Sequence, residues 1–437
     1  MSWEFFLIII FGSLLILMAS AIPVAFSFML ISIIGMYCFF GGSSGLEQLI
    51  ISITTSLSTF VLLPVPLFIF MGELMFHSGM APLLVETLDK WLGRVPGRLG
   101  LLAVSAGTLF ATLTGTSMAS TAMLGSILVP EMEKRGYKKP MSLGPILGSG
   151  GLAIMIPPSS LAVLVGAIGE ISVGRILVAI IIPGLLMATF YSGYIILRCW
   201  LQPHLAPSYE VKHVPLSEKI SATFRYILPL GLIVFLVVGV IFMGVATPSE
   251  AAATGTIGTA ILALINGRLN WAVIKKSVVS TLEVTGMVLI IIAGATAFSQ
   301  ILAYSGATQG LCKFATELPV APIMVIVFMQ IIILFLGCLM DVVAIMMITL
   351  PIFVPIVNNL GFDPVWFAAM FLLNIEIAGT SPPFGMGLMV MKGVAPPGTT
   401  MGDIYRAALP FIYCDLIVMV LMLLFPKVAL WLPGLMR

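Results

Sequence analysis

Four short clusters rich in glycine, serine, threonine and proline interrupt otherwise apolar stretches, and their residue types suit the binding of an ion. They lie at 114–121 (TGTSMAST), at 148–160 (GSGGLAIMIPPSS), at 337–341 (GCLMD) and at 378–383 (AGTSPP). Proline removes a backbone donor, and glycine makes a non-helical segment cheap, so nearby helical carbonyls lose their partners. Hard cations prefer carbonyl, hydroxyl and carboxylate oxygen. The four clusters therefore predict cation binding.

We expect the clusters to pair into two cation sites. Site one combines the first and second clusters, with the candidate ligands Gly115, Thr116, Ser117, Ser120, Gly151 and Pro157. Site two combines the third and fourth clusters, with the candidate ligands Gly337, Asp341, Gly379, Thr380 and Ser381. For any single position, close helix packing or a hydroxyl bond to the carbonyl four residues earlier is an equally good interpretation. The doubled pattern favours ion binding.

Two acidic residues fall inside these apolar stretches. A carboxylate near the bilayer centre costs at least about 2.5 kcal/mol, so such groups are usually functional or paired. We interpret Asp341 as a cation ligand, and the alternative is an ion pair with a distant Lys or Arg. Glu376 precedes the fourth cluster, and we leave open whether it is a further ligand, a proton carrier or a residue that only orients the chain there.

The composition identifies the elements that must position these residues. Only 38 of 437 residues are charged (20 Lys plus Arg and 18 Asp plus Glu), and 60% are of hydrophobic type. A soluble domain has roughly a quarter of its residues charged. Charge-free runs at 5–46, 99–130, 140–169 and 284–312 each exceed the roughly 20 residues that a membrane helix needs. We predict an all-α polytopic membrane protein, with Thr247 and Glu250 forming a capping box at a helix start.

The positions of the basic residues predict two re-entrant helical hairpins. Basic clusters at 90–98 and 134–139 flank the run 99–130 on both sides, and short cytoplasmic loops carry an excess of Lys and Arg. Hairpin 1, about 99–135, therefore starts and ends on the cytoplasmic side. Hairpin 2, about 319–360, has no basic cluster beside it and is expected to enter from the opposite side. Non-helical backbone at such tips must be buried in protein or line a cavity.

An internal repeat supports this inversion. Adding 225 to the residue number maps the block ILVPEMEKRGY (127–137) onto IFVPIVNNLGF (352–362), and AIMIPPSS (153–160) onto AGTSPPFG (378–385). We predict an inverted-topology repeat with two broken transmembrane helices, at about 140–170 and 364–395. In proteins of this kind the binding site lies at the repeat interface.

The repeat also predicts a division of the chain. N-terminal helices occupy 1–80, and the first repeat occupies 81–200, with its last helix ending near 200. A cytoplasmic loop follows at 201–225, and further helices occupy 226–305. The second repeat and a C-terminal helix occupy 306–437.

Several other classes of protein are disfavoured. A net charge of +2 without a basic stripe gives no nucleic-acid footprint. The five cysteines lack metal-ligand spacing, and a phosphate-binding loop is missing, so any uphill transport must use an ion gradient or another subunit. An intramembrane hydrolase at Ser117 or Ser149 would lack a nearby base. A passive pore remains an alternative because re-entrant hairpins also build selectivity filters, and single-channel recording would separate it from a transporter.

The chain resembles the large membrane (M) subunit of tripartite ATP-independent periplasmic (TRAP) transporters, within the ion-transporter superfamily. The resemblance rests on motifs spread through most of the sequence. They are GELMFHSGM (72–80), GRVPGRLG (93–100), TGTSMASTAMLGSILVPEMEKRGY (114–137), IPPSS (156–160), GVATPSEAAA (244–253), MDVVAIMMITLPIFVPI (340–356) and GTSPPFGMGL (379–388).

This resemblance implies a transporter and not an enzyme. The transporter would be of the elevator type, in which a transport domain, formed by the transport repeats at 81–200 and 306–437, slides against scaffold helices at 1–80 and 226–305. The resemblance further implies sodium-coupled uptake of a small organic anion, such as a C4-dicarboxylate or a sialic acid, across the bacterial inner membrane. Two or more Na⁺ ions would be transported with it, at the two sites named above. It also implies a small membrane (Q) subunit, expected as a separate chain because no four-span segment precedes Met1, and a periplasmic substrate-binding protein (P subunit). The hydroxyls of five residues are candidate donors to the anion: Thr116, Ser117, Ser159, Thr380 and Ser381.

Overall fold

The computed structural model describes residues 3–20, 22–114, 117–207, 214–337, 340–383 and 385–436, with the backbone alone described at 111–114. All regular structure within these ranges is helical. The first half contains α1 (Trp3–Ala19), α2 (Val24–Phe39), α3 (Ser43–Leu57), α4 (Pro64–His77), α5 (Ala81–Trp91), α6 (Arg98–Thr114), α7 (Ser117–Lys134), α8 (Lys139–Met155), α9 (Ser160–Ile168), α10 (Val173–Ala179) and α11 (Ile181–Leu201).

The second half repeats this series of helices. It contains α12 (Leu216–Ala222), α13 (Leu228–Phe242), α14 (Pro248–Ile265), α15 (Trp271–Tyr304), α16 (Ala307–Glu317), α17 (Pro322–Gly337), α18 (Val342–Asn359), α19 (Pro364–Thr380), α20 (Met386–Val394), α21 (Met401–Leu424) and α22 (Lys427–Leu430). Short 3₁₀ turns lie at Phe60–Leu62, Pro203–Leu205 and Pro433–Leu435, and a π-helical turn at Thr223–Ile227.

Helix ends in the two halves are related by the same offset as the sequence repeat. Adding 225 to the limits of α7 (117 and 134) gives 342 and 359, the limits of α18. Adding 225 to the limits of α8 (139 and 155) gives 364 and 380, the limits of α19. Gly136 and Gly361 follow α7 and α18 with φ of +77° and +78°, a conformation that favours glycine. The halves therefore share their local folding signals.

Both helices predicted to be broken are interrupted. Between α8 and α9 the helix direction bends by 46° at a break of four residues. The break between α19 and α20 spans 381–385. In the first break, Pro157 lacks the N–H that would continue the helix. The Ser159 side chain then accepts a hydrogen bond from the Ala162 N–H at 3.4 Å and begins α9.

The two broken helices run in opposite directions. Lys139, the first residue of α8, lies 2.8 Å from the Asp403 carboxylate, beyond the end of α20. Asp363, the N-cap of α19, lies 3.4 Å from Arg175, beyond the end of α9. Each broken helix therefore starts where the other ends, which is the arrangement that an inverted repeat requires.

The helices differ in how many of their residues are buried, and this difference distinguishes an inner group from a peripheral one. Residues Met141–Met155 of α8 are all buried, as is nearly all of α19. In contrast, α13 buries only one narrow face. Among the described residues, six helical stretches are long and apolar enough to cross a membrane, or seven if the bent pair α8 and α9 counts as one span. Together these features indicate a multi-pass membrane protein.

The capping box predicted at Thr247 is confirmed. The Thr247 hydroxyl accepts from the Glu250 N–H at 3.3 Å, and Glu250 Oε2 accepts from the Thr247 N–H at 2.8 Å. A second capping box, which the sequence analysis did not anticipate, joins Thr400 and Asp403 at the start of α21. These reciprocal bonds satisfy donors that a helix start leaves free.

Candidate cation-binding sites

Site one is assembled from α7 and α8. Gly115 and Thr116 lie outside the described residues, and Ser117 is the first residue of α7. A Cβ atom built at Gly150 would lie 2.0 Å from Thr121 Oγ1 and 3.3 Å from the Ser117 carbonyl oxygen. Only glycine allows the two helix backbones to approach this closely. The start of α7 and the middle of α8 therefore lie in close contact.

Two buried oxygen atoms in this region lack a partner within the described part of the chain. They are Oγ of Ser120, which is fully buried, and Oε1 of Glu376, whose residue is 1% exposed. Glu376 reaches site one from α19, where a Cβ atom built at Gly151 would lie only 1.6 Å from Oε1. In sequence, Glu376 lies close to the break at 381–385, but in the structure its carboxylate lies against α8.

Gly337, in site two, packs directly against the second broken helix. A Cβ atom built at Gly337 would lie 2.1 Å from the Ala378 Cβ, so the end of α17 lies against α19 one residue before Gly379. Asp341 caps α18, and its carboxylate accepts from the Val343 N–H at 2.9 Å. Cys338 and Leu339 between them lie outside the described residues.

The hydroxyls of the second break are bonded within their own helix. Thr380 Oγ1 donates to the carbonyls of Glu376 and Ile377 at 3.2 Å, and Ser381 Oγ donates to Ile377 at 2.6 Å. This is the local bonding that was the alternative to ion binding. A hydroxyl oxygen that donates its proton in this way retains lone pairs, so it is still able to face a cation. Among the described residues, no hydroxyl donates to the Gly379 carbonyl oxygen, which would lie 2.6 Å from a Cβ atom built at Gly385.

The expected alternative for Asp341, an ion pair, is not found among the described residues. None of the ion pairs in that part of the chain includes Asp341, Glu376 or the buried Asp415. The donors at both sites are hydroxyl, carbonyl and carboxylate oxygen, which fits a hard cation. Within the described ranges, no group of three or more His, Cys, Asp or Glu could hold a metal ion.

A cavity of about 660 Å³ lies apart from both sites, between α15 and the two elements α9 and α18. The predicted substrate-binding residues that the structure describes do not line it. Its polar lining was missed by the sequence analysis and includes Thr59, Thr296, Ser299 and Gln300. The sequence does contain a sign of this cavity, because the lining positions 296, 299, 300 and 303 have the spacing of residues on one face of a helix. Its volume suits a small ligand.

Comparison with known proteins identifies the family of this chain. Residues 11–428 match the family described as "Tripartite ATP-independent periplasmic transporter, DctM component". The chain belongs to the DctM family. One relative, the C4-dicarboxylate TRAP transporter large permease protein DctM of Pseudomonas aeruginosa, is 33% identical over 378 residues, which is 86% of each chain. Members of this family are transporter permease subunits, so this DctM-family chain is not an enzyme.

Two further similarities extend the comparison. The isethionate TRAP transporter permease protein DctMQ of Oleidesulfovibrio alaskensis is 27% identical over 427 residues, which cover 98% of this chain and 66% of that longer one. Among solved structures, the YdaH transporter of Alcanivorax borkumensis is similar with a TM-score of 0.66 at 16% identity, covering 95% of this chain and 99% of that one. At this identity the likeness concerns the fold alone.

Proposed function

We propose that this DctM-family permease performs sodium-coupled uptake of a small organic anion through the inner membrane. The observation that carries the proposal is the symmetric pair of breaks. Two antiparallel helices are interrupted at equivalent repeat positions. Ahead of its break, α8 packs against α7 at Gly150, and α19 packs against the end of α17 at Ala378. A passive pore has no need of two opposed, inequivalent half-sites, whereas a symporter does.

Sodium is the coupling ion in this proposal because of the donor chemistry. Site one offers Ser117 and Ser120, and site two offers Asp341 and the carbonyls near Gly379. These are oxygen donors of small residues, which a compact hard cation prefers. Orphan backbone groups beside the breaks would otherwise cost several kcal/mol each in a membrane. We expect two or more ions per cycle, moving as cargo.

The substrate class follows from the helix ends at the breaks. The helices α9 and α20 start there, and their N-termini carry partial positive charge. Ser159 caps α9, and Thr380 and Ser381 end α19. A carboxylate of a C4-dicarboxylate or a sialic acid would fit between such ends. The P. aeruginosa relative is named for C4-dicarboxylates and the DctMQ relative for isethionate, so the family accommodates several small anions.

Partners complete the proposed cycle. A periplasmic substrate-binding protein would deliver the anion, and a small membrane (Q) subunit would bind the peripheral helices. Alternating access would be of the elevator type, with the hairpins and broken helices moving against α1–α4 and α13–α15. The outward faces of α1 and α13, which bury few residues, suit lipid or the small subunit.

A reconstitution experiment tests the proposed function. Liposomes containing this chain and its two partners are loaded with buffer and supplied with labelled substrate. Uptake above the external concentration is expected only under an inward sodium gradient. Equal uptake in sodium-free buffer with a proton gradient would contradict sodium coupling. Single-channel currents would contradict a transport mechanism and indicate a passive pore.

A further inference from the structure

Glu376 and Gly151 occupy equivalent positions of the two repeats, since 151 plus 225 is 376, and they contact each other. The built Cβ of Gly151 would lie 1.6 Å from Oε1 and 2.0 Å from Cδ of Glu376. In a pair of elements related by a two-fold axis, equivalent residues meet only near that axis. The carboxylate therefore lies at the centre of the repeat interface, where glycine on the other helix leaves room for it.

Two elements supply oxygen atoms in this region, α19 through Glu376 and α7 through Ser117 and Ser120. The Ser117 side chain forms a hydrogen bond with the Glu376 carboxylate. Oε1 of Glu376 is buried without a partner in the described ranges, and so is Oγ of Ser120, one turn further along α7. A buried polar atom without a partner costs about 1–3 kcal/mol. Two such atoms beside a predicted cation site are oxygen atoms that are free to coordinate a cation.

The local charge supports the same interpretation. Among the described residues, neither Glu376 nor Asp415 forms an ion pair with Lys, Arg or His, although both are buried. Asp415 interacts electrostatically with Glu376, and its own hydrogen bond comes from the Tyr191 hydroxyl. A buried carboxylate that lacks a counter-charge costs several kcal/mol. A monovalent cation held by Glu376 would remove that cost.

We propose that Glu376 is a ligand of the sodium ion in site one, together with Ser117 and Ser120. The second repeat thereby supplies the negative charge of a site whose other ligands belong to the first. The proposal rests on the proposed sodium coupling and deepens it. A site with one carboxylate and one Na⁺ is neutral. Only the sodium-loaded site could therefore move through the membrane without the cost of an uncompensated charge in its interior.

Equilibrium binding of ²²Na⁺ to the purified permease complex tests this assignment. The variant Glu376→Gln preserves shape and removes the charge. We expect it to lose one bound Na⁺ or to raise the half-saturating sodium concentration about tenfold or more, equivalent to 1.4 kcal/mol. The control Glu250→Gln neutralises an exposed carboxylate and should bind sodium as the wild type does.

The possible outcomes separate this inference from the proposed function. Wild-type binding that is unchanged in Glu376→Gln would overturn the role of Glu376 and leave sodium coupling intact. A wild-type complex that binds no sodium would overturn the proposed function as well. Should the Gln variant not fold, Glu376→Asp keeps the charge but withdraws it by one methylene group. It is expected to keep the stoichiometry and bind more weakly, and wild-type affinity in that variant would overturn the assignment.

Discussion

The Cα atom of Gly151 faces the carboxylate of Glu376 across the interface of the two broken helices, with no space for a side chain between them. The contact joins α8 to α19, so it links the two repeats at the point where both are most buried. Its consequence is that the Glu376 side chain occupies the space that a side chain at position 151 would need. One of the two positions must be glycine if the other is glutamate.

The first prediction follows from that contact. Gly151→Ala should destabilise the protein by about 3 kcal/mol, because overpacking a rigid core typically costs 1–3 kcal/mol and this contact is with a buried carboxyl group. Gly379→Ala is the matched control, since Gly379 is also helical but has no atom within 4 Å of a built Cβ. It should be neutral or slightly stabilising. Thermal unfolding in detergent measures both, and equal effects would contradict the contact.

A second prediction concerns the packing of α17 against α19. Gly337→Ala would bring two methyl groups within 2.1 Å, because the obstacle is the Cβ of Ala378. We expect a loss of about 2 kcal/mol and weaker sodium binding. Ala378→Gly removes the obstacle at a cost of about 1 kcal/mol in helix propensity. The double variant should therefore be more stable than Gly337→Ala alone, and a purely additive loss would exclude direct contact.

The sequence predicted the two interrupted helices because an interruption depends on local chemistry, and each of these helices contains a pair of adjacent prolines, at 157–158 and at 382–383. Single prolines are tolerated inside α7, α8, α18 and α21. The offset of 225 residues transferred each assignment from one half to the other. The ends of α18 and α19 agree with those of α7 and α8 for this reason.

Tertiary contacts were harder to predict. Glu376 was placed beside its neighbours in sequence, but a helix side chain one turn from a break points away from it, and here it meets α8. The repeat contained the missing information, since equivalent positions approach each other near the axis. The cavity beside Thr296 was missed because a few hydroxyls in a 34-residue apolar helix give little contrast in composition.

A third prediction uses the capping box at Glu250, which precedes the apolar run of α14. Hydrogen bonds from the Thr247 backbone N–H, and then from its hydroxyl, lower the pKa of Glu250. A lowered pKa in the folded protein means that the carboxylate stabilises the fold above the ordinary pKa of glutamate, and that this contribution is lost as the pH falls. Glu250→Gln should lower Tm by about 1–2 °C at pH 7. The difference from wild type should shrink below pH 4.5, and a difference that grows there would contradict the assignment.

The cavity beside α15 leads to a fourth prediction. Thr296→Trp would place a large side chain in the 660 Å³ space and narrow it, and should reduce uptake at least about tenfold if the substrate passes through a pocket of this size. Sodium binding should be unchanged, because Thr296 contributes to neither site. The control Ile290→Trp changes a side chain on the same helix that is 51% exposed. Uptake by Thr296→Trp equal to that of the control would exclude the cavity from the substrate path.

The fifth prediction separates the charge of Asp341 from its role in capping α18. Asparagine caps helices about as well as aspartate, so Asp341→Asn should retain the bond to the Val343 N–H and most of the stability. The lost charge should raise the sodium concentration for half-maximal uptake about tenfold or more, whereas Glu250→Gln should leave it unchanged. Asp341→Ala removes both features and should also lower Tm, since loss of an N-cap costs about 1 kcal/mol. If Asp341→Asn transports with wild-type sodium dependence, Asp341 acts only as a cap, and site two must be built from the backbone and hydroxyl oxygens near Gly379.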